Sequence, residues 1–127
     1  MYNILIVEDE VELSHLYVRL FSLCRYRIKV VSAGKDIHAV ITDYQPDVIL
    51  LDIYLRGEDG RDICKEIKQI HQNIPIILVS TANQLKQMAD ACGADDYIEK
   101  PFDIYNIMNK VARWGKGCEK LKLDSAK

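Results

Sequence analysis

The run Asp47-Val48-Ile49-Leu50-Leu51-Asp52 limits the fold more than any other stretch of the chain. Four consecutive apolar residues bounded by acids are too few for a helix and too uniform for a half-exposed strand, so they predict a strand covered on both faces. The pattern recurs. Tyr2-Asn3-Ile4-Leu5-Ile6-Val7 runs straight into Glu8-Asp9, and Ile76-Ile77-Leu78-Val79 into Ser80-Thr81. A shorter strand, Tyr97-Ile98-Glu99, runs into Lys100-Pro101. In an open parallel sheet, ligands bind at the carboxyl ends of the strands. Three carboxylates, a hydroxyl and an ammonium are thus expected along one edge of one sheet.

Helix-period segments fill the intervals. Glu10 to about Cys24 carries Val11, Leu13, Leu16, Leu20 and Leu23 at helical spacing. After a strand at Ile28–Val31, Gly34 turns the chain into a helix over Lys35–Tyr44, with Ile37, Val40 and Ile41 inward. Pro46 closes that helix. The glycine-rich turn Arg56–Gly60 leads to a helix over Arg61–His71 with the stripe Ile63, Ile67 and Ile70. Pro75 opens the next strand. Ala82–Cys92 reads as a helix capped by Gly93, and Asp103 as the N-cap of a last helix ending near Arg113 or Trp114. Strands alternating with helices imply an α/β fold, a parallel sheet with helices on both faces. One domain over residues 1–114 accounts for this pattern, and 115–127, lysine-rich with two glycines, reads as a C-terminal tail or the start of a linker.

With 17 basic and 19 acidic side chains the net charge is −2, unlike the basic surface of a nucleic-acid-binding domain. No apolar stretch approaches the ~20 residues of a membrane span. A strand beginning at residue 2 leaves no room for a signal peptide, so a cytoplasmic location is expected. Cys24, Cys64, Cys92 and Cys118 form no C-x-x-C pair and are expected to be reduced thiols. His15, His38 and His71 are scattered along the chain and expected to be exposed, with no spacing that suggests a metal site.

The acidic edge is different. Glu8, Asp9 and Asp52 together concentrate negative charge that a bound divalent cation would turn from a penalty into a site. Magnesium suits one or two carboxylates beside a phosphate, and phosphoryl transfer needs chiefly positioning and charge stabilisation. Lys100 supplies a fixed positive charge and Ser80 a hydrogen bond. A single acid after a strand is more often a turn residue. Complementary groups at four strand ends are not readily a coincidence.

Taken in order, Ile4–Asp9, Val48–Asp52, Leu55, Gly57, Asp59-Gly60, Pro75–Ser80 and Gly93–Phe102 resemble a receiver domain of a bacterial two-component response regulator over residues 2–114. The resemblance implies the flavodoxin-like doubly wound fold, (βα)5, with strand order 2-1-3-4-5. It implies that Asp52 accepts a phosphoryl group from a sensor histidine kinase or phosphotransfer protein. Magnesium would be held by Asp9, Asp52 and the backbone carbonyl of Tyr54, and by Glu8 mainly through water. Ser80 and Lys100 would contact the phosphoryl group, the Lys100–Pro101 bond would be cis, and Tyr97 would be an aromatic switch. The implied role is a phosphorylation-controlled signalling switch and not an enzyme beyond its own phosphorylation and dephosphorylation. It would signal through the face of the fourth helix, fifth strand and fifth helix, to an output domain or partner protein or as a homodimer, without touching nucleic acid or membrane itself.

Departures from the family pattern are Thr81 where a smaller residue is usual, Arg56 where proline is common, and a bulky Tyr54, expected to overhang the site and slow attack by water. The segment between Ser80 and Gly93 is about two residues shorter than in chemotaxis-type members. Asp95 and Asp96 could pair with Lys86, Lys110 and Arg113 across a dimer. On the last helix, Ile104, Tyr105, Ile107, Met108 and Val111 exceed what one buried face needs. Two alternatives stand beside the leading reading. One is a degenerate receiver that signals without phosphorylation. The other is an aspartyl-phosphate phosphatase, which would want an aspartate where Tyr54 stands.

Overall fold

The computed structural model describes residues 2–115. The elements are β1 (Asn3–Val7), α1 (Val11–Ser22), β2 (Arg27–Val31), α2 (Ile37–Tyr44), β3 (Val48–Asp52), β4 (Tyr54–Leu55), β5 (Glu58–Asp59), α3 (Gly60–Ile70), β6 (Ile76–Ser80), α4 (Leu85–Cys92), β7 (Asp96–Glu99) and α5 (Ile104–Trp114). Five strands form one parallel sheet in the order β2-β1-β3-β6-β7. With the small β4–β5 hairpin set aside, this is the expected order 2-1-3-4-5.

The uninterrupted apolar strands divide their side chains by parity, as a pleated strand must. Leu5, Val7, Ile49, Leu51, Ile76 and Leu78 face a core closed by α2, α3 and α4. Ile4, Ile6, Val48, Leu50, Ile77 and Val79 face a second core with Tyr17, Phe21, Ile107 and Val111 from α1 and α5. Each such side chain, fully buried, contributes about 1.5–3 kcal/mol. This two-sided burial holds the strand ends in register. Asn3 pairs with Arg27 and Ile4 with Val48, and Asp52 with Val79, so the last residues of β1, β3 and β6 come out at one edge.

Local sequence explains several boundaries. Asp103 caps α5 by accepting from the Tyr105 N–H at 2.7 Å, and Gly93 ends α4 in the left-handed region at φ 83°. Asp59 caps α3 in the same way, accepting from Arg61 N at 2.9 Å. Other expectations need correction. The inward stripe of α1 is Tyr17, Leu20 and Phe21, whereas Val11 and Leu23 are exposed. The aromatic pair offers more area to bury, and Tyr17 stacks on Phe102 with ring centres 5.9 Å apart. Ile70 is likewise exposed, and Cys64 takes its place in the α3 stripe. α2 and α4 start later than their periodicity suggests. Asp36 and Gln84 precede them with φ of 56° and 58°, a left-handed geometry that no helix can run through. The turn Arg56–Gly60 is a hairpin, with Gly57 at φ 72°.

Of the last helix's apolar residues, Ile107, Met108 and Val111 are buried, while Ile104 and Tyr105 are exposed. Cys64 and Cys92 are free buried thiols. Cys24 is disulfide-bonded, so the expected four reduced thiols fail there. Spacing along a chain does not report which thiols meet in space. Cys118 and the expected tail lie outside the described residues. Among those residues, no helix is long and apolar enough to cross a membrane. His38 and His71 are half-buried rather than exposed, and their rings lie 5.4 Å apart.

Candidate phosphoacceptor and cation site

Glu8 and Asp9 follow β1, Asp52 ends β3, Ser80 ends β6 and Lys100 follows β7. Oxygens of Glu8, Asp9 and Asp52 all lie within 4.8 Å of one another. Lys100 Nζ is 3.1 Å from Glu8 Oε1 and 3.2 Å from Asp52 Oδ2. Ser80 is fully buried beside them: its carbonyl accepts the Lys100 N–H at 2.9 Å, and its hydroxyl accepts from Ala82 N at 3.2 Å. The five expected residues therefore do meet at the carboxyl edge. The Lys100–Pro101 peptide is cis.

Backbone donors that sequence patterning does not reveal set the carboxylates. Arg56 N donates to Asp9 Oδ2 at 2.7 Å, Tyr54 N to Asp52 Oδ1 at 3.3 Å, and Glu10 N to Glu8 Oε2 at 3.2 Å. The β4–β5 hairpin thus holds Asp9 against Asp52. Burial raises the Glu8 carboxyl above its ordinary range, Asp52 adds to that, and Lys100 opposes it. Burial alone would weaken the Lys100 ammonium, but Asp52 and Glu8 outweigh it and hold the proton more firmly. Three acids around one lysine leave a net negative site, all of whose side-chain acceptors are oxygens. Such a donor set fits a hard divalent cation such as magnesium.

Tyr54 and Arg56 line an open cleft of about 410 Å³ with Asp9 and Asp59, and Tyr54 is 59% exposed. Thr81 is exposed next to Ser80.

The family profile of the response regulator receiver domain matches residues 4–112. The chain belongs to that family. Over 113 residues it is 38% identical to YvcP, a transcriptional regulatory protein of Bacillus subtilis, covering 87% of this chain and 47% of that protein. It is 33% identical over 119 residues to BaeR of Escherichia coli, covering 92% and 49%. The receiver thus spans about half the length of these regulators. Among solved structures it is similar to the N-terminal domain of the nisin resistance regulator NsrR, at 33% identity and TM-score 0.80, covering 89% of this chain and 97% of that one. The receiver domain of a Pseudomonas aeruginosa sensor histidine kinase, with magnesium coordinated in its active-site cleft, aligns at 25% identity and TM-score 0.79 over 89% and 96%.

The far side of this receiver corrects one expectation. Asp95 and Asp96 are already paired within the chain. Lys68 Nζ lies 2.7 Å from Asp95, and Lys110 Nζ 2.9 Å from Asp96. Trp114 Nε1 also donates to Asp96, at 2.9 Å. Lys110 also reaches the Tyr97 carbonyl at 2.6 Å and lies 4.7 Å from the centre of its ring. Tyr97 is half-buried against the core beneath α4.

Burial would raise the Asp96 carboxyl, but donation from Lys110, Trp114 and the Tyr97 N–H outweighs it and holds the group below the ordinary Asp range. A depressed acid contributes stability above its unfolded pKa of ~3.9 and loses it as pH falls through the lower folded value. Asp96→Asn is therefore expected to cost about 1–2 kcal/mol at neutral pH. The difference should shrink as pH falls below the unfolded Asp value and through the lower folded one, as read from urea unfolding of both proteins at each pH.

Proposed function

We propose that this receiver is a phosphorylation-controlled signalling switch, with Asp52 as acceptor. The observation that carries the reading is the joint placement of Glu8, Asp9, Asp52, Ser80 and Lys100 at one sheet edge. An Asp52 carboxylate oxygen attacks the phosphorus of a phosphohistidine on a histidine kinase or phosphotransfer protein. The P–N bond breaks as the new P–O bond forms, and the imidazole nitrogen keeps the electron pair. Glu8, Asp9, Asp52 and the Tyr54 carbonyl would hold magnesium, which supplies charge neutralisation for the transferring group. Lys100, already bonded to Asp52, turns to the phosphoryl oxygens, and the Ser80 hydroxyl, which accepts from Ala82 N, donates its own proton to one of them.

The change is passed on through Tyr97, whose strand pairs directly with that of Ser80. It biases the face of α4, β7 and α5 towards an output domain or partner protein. The transcriptional regulators it resembles are about twice its length, which supports an output module beyond the receiver, and their role in transcription supports a cytoplasmic setting. For a homodimer through this face, the internally paired Asp95 and Asp96 would not supply the acids.

The test is intact-protein mass after incubation with magnesium and acetyl phosphate. One phosphoryl group is expected on the native chain, and none on Asp52→Asn or with chelator present. No gain on a folded, magnesium-bound chain, or an equal gain on Asp52→Asn, would reject the proposal.

A further inference from the structure

We propose that His38 and His71 form a second metal site, for a divalent transition-metal ion of the zinc class. The two residues lie on different elements, His38 in the first turn of α2 and His71 just past α3. Their ring centres are 5.4 Å apart, with planes inclined by 32°. Two imidazoles bound to one tetrahedral zinc, at ~2.0–2.1 Å per nitrogen, would place their ring centres roughly 5.2 Å apart.

The hydrogen bonding points the same way. His38 Nδ1 and His71 Nε2 are each buried without a hydrogen-bond partner among the described residues. Unsatisfied buried nitrogens are uncommon, and an ion is one of their ordinary explanations. The other nitrogen of His38, Nε2, lies 3.3 Å from Glu66 Oε1. A carboxylate on the far nitrogen is what orients a metal-ligating histidine and raises its basicity. With a proton on Nε2, on the side of Glu66, Nδ1 keeps its lone pair for a ligand. His38 is 31% and Glu66 55% exposed at the side chain, so the pair lies at the edge of the protein with its two ligating nitrogens turned inward.

This site differs in kind from the acidic edge. Imidazole nitrogens suit zinc, copper and nickel, whereas an all-oxygen set suits magnesium. Excess magnesium can therefore occupy the carboxylates while zinc is titrated into the full chain.

One zinc per chain is expected under those conditions by calorimetry. Affinity should fall at least tenfold in His38→Ala and in His71→Ala, and binding should be lost in the double variant. Glu66→Gln, which loosens the His38 ring, should weaken it roughly tenfold, and Asp52→Ala should leave it unchanged. Long-range nitrogen–proton NMR on the native chain reads the ligating atoms without any substitution. Zinc should shift His38 Nδ1 and His71 Nε2 and leave His15 unmoved. The proposal is overturned if zinc does not bind, if the double variant binds it as tightly as the native chain, or if the two histidine resonances stay in place, as they would for a pair that merely shares a water.

Discussion

Lys100→Met is expected to slow phosphoryl acceptance at Asp52 by about a hundredfold or more, the usual loss when one preorganised donor to a developing anion is removed. Methionine keeps the length and apolar bulk of the lysine stem, so the effect isolates the ammonium. That ammonium bonds Glu8 and Asp52 at 3.1 and 3.2 Å and is only 15% exposed at the side chain. The same substitution acts on stability. Breaking a buried ion pair by removing one partner costs about 3–5 kcal/mol because the other charge is left without compensation. The lower end is expected here, since Asp52 keeps the Tyr54 N–H and Glu8 the Glu10 N–H. Magnesium should then stabilise the variant more than the native chain, because it replaces the missing positive charge.

A linked pH dependence has a definite sign. The Lys100 pKa is raised in the folded chain, with Asp52 and Glu8 overcoming burial. Its contribution is fully present below the unfolded lysine value of ~10.4 and is lost as pH rises through the folded one. Native and variant stabilities should therefore converge only in strong alkali. Phosphorylation time courses by mass, and urea unfolding with and without magnesium, check both parts. Native rates in Lys100→Met would remove the lysine from the chemistry.

The fold was legible because its decisive signals are short and local. Val48–Leu51 and Ile76–Val79 have no polar residue to face water, which forces helices onto both sides of the sheet. The site was legible for a related reason: parallel strands deliver their carboxyl ends to one edge, so residues just past the apolar runs must meet there. What escaped the sequence depends on contacts between distant segments or on a single backbone angle. No periodicity foretells that Gln84 takes a φ of 58° and delays α4. Nor does any local pattern show that α2 and α3 bring His38 onto His71, 33 positions apart in the chain. The identity of Asp96 was plain, but its partners were not. A lysine two turns into α5 takes it in place of a neighbouring molecule, and lies over the Tyr97 ring as well. Lys110 thereby ties the last helix to the strand that carries Tyr97, a physical route from the sheet edge to the face of α4, β7 and α5.

Gly60→Ala should be strongly disruptive. On helix propensity alone it would favour α3, by less than the ~1 kcal/mol of a helix interior because Gly60 is the first helical residue. The surroundings reverse that sign. A Cβ at Gly60 would overlap the backbone carbonyl oxygen of Asp52 and crowd Ile53 Cα, and neither is the movable end of a side chain. Gly60 N also donates to the Ile53 carbonyl at 2.8 Å, so α3 cannot back away without breaking the bond that docks it. Overpacking against rigid backbone costs about 1–3 kcal/mol and occasionally more, and the upper end is expected. The strain falls on Asp52, the proposed acceptor, so phosphorylation should slow even in the fraction that folds. Gly57→Ala provides the comparison. Nothing lies within 4 Å of its Cβ position, and only its φ of 72° opposes the change, a cost of about 1–2 kcal/mol. Urea unfolding should rank Gly60→Ala clearly below Gly57→Ala, with acceptance of phosphate from acetyl phosphate impaired more in the former. Equal stabilities would show that β3 and α3 do not approach as closely as the Asp52–Gly60 contact requires.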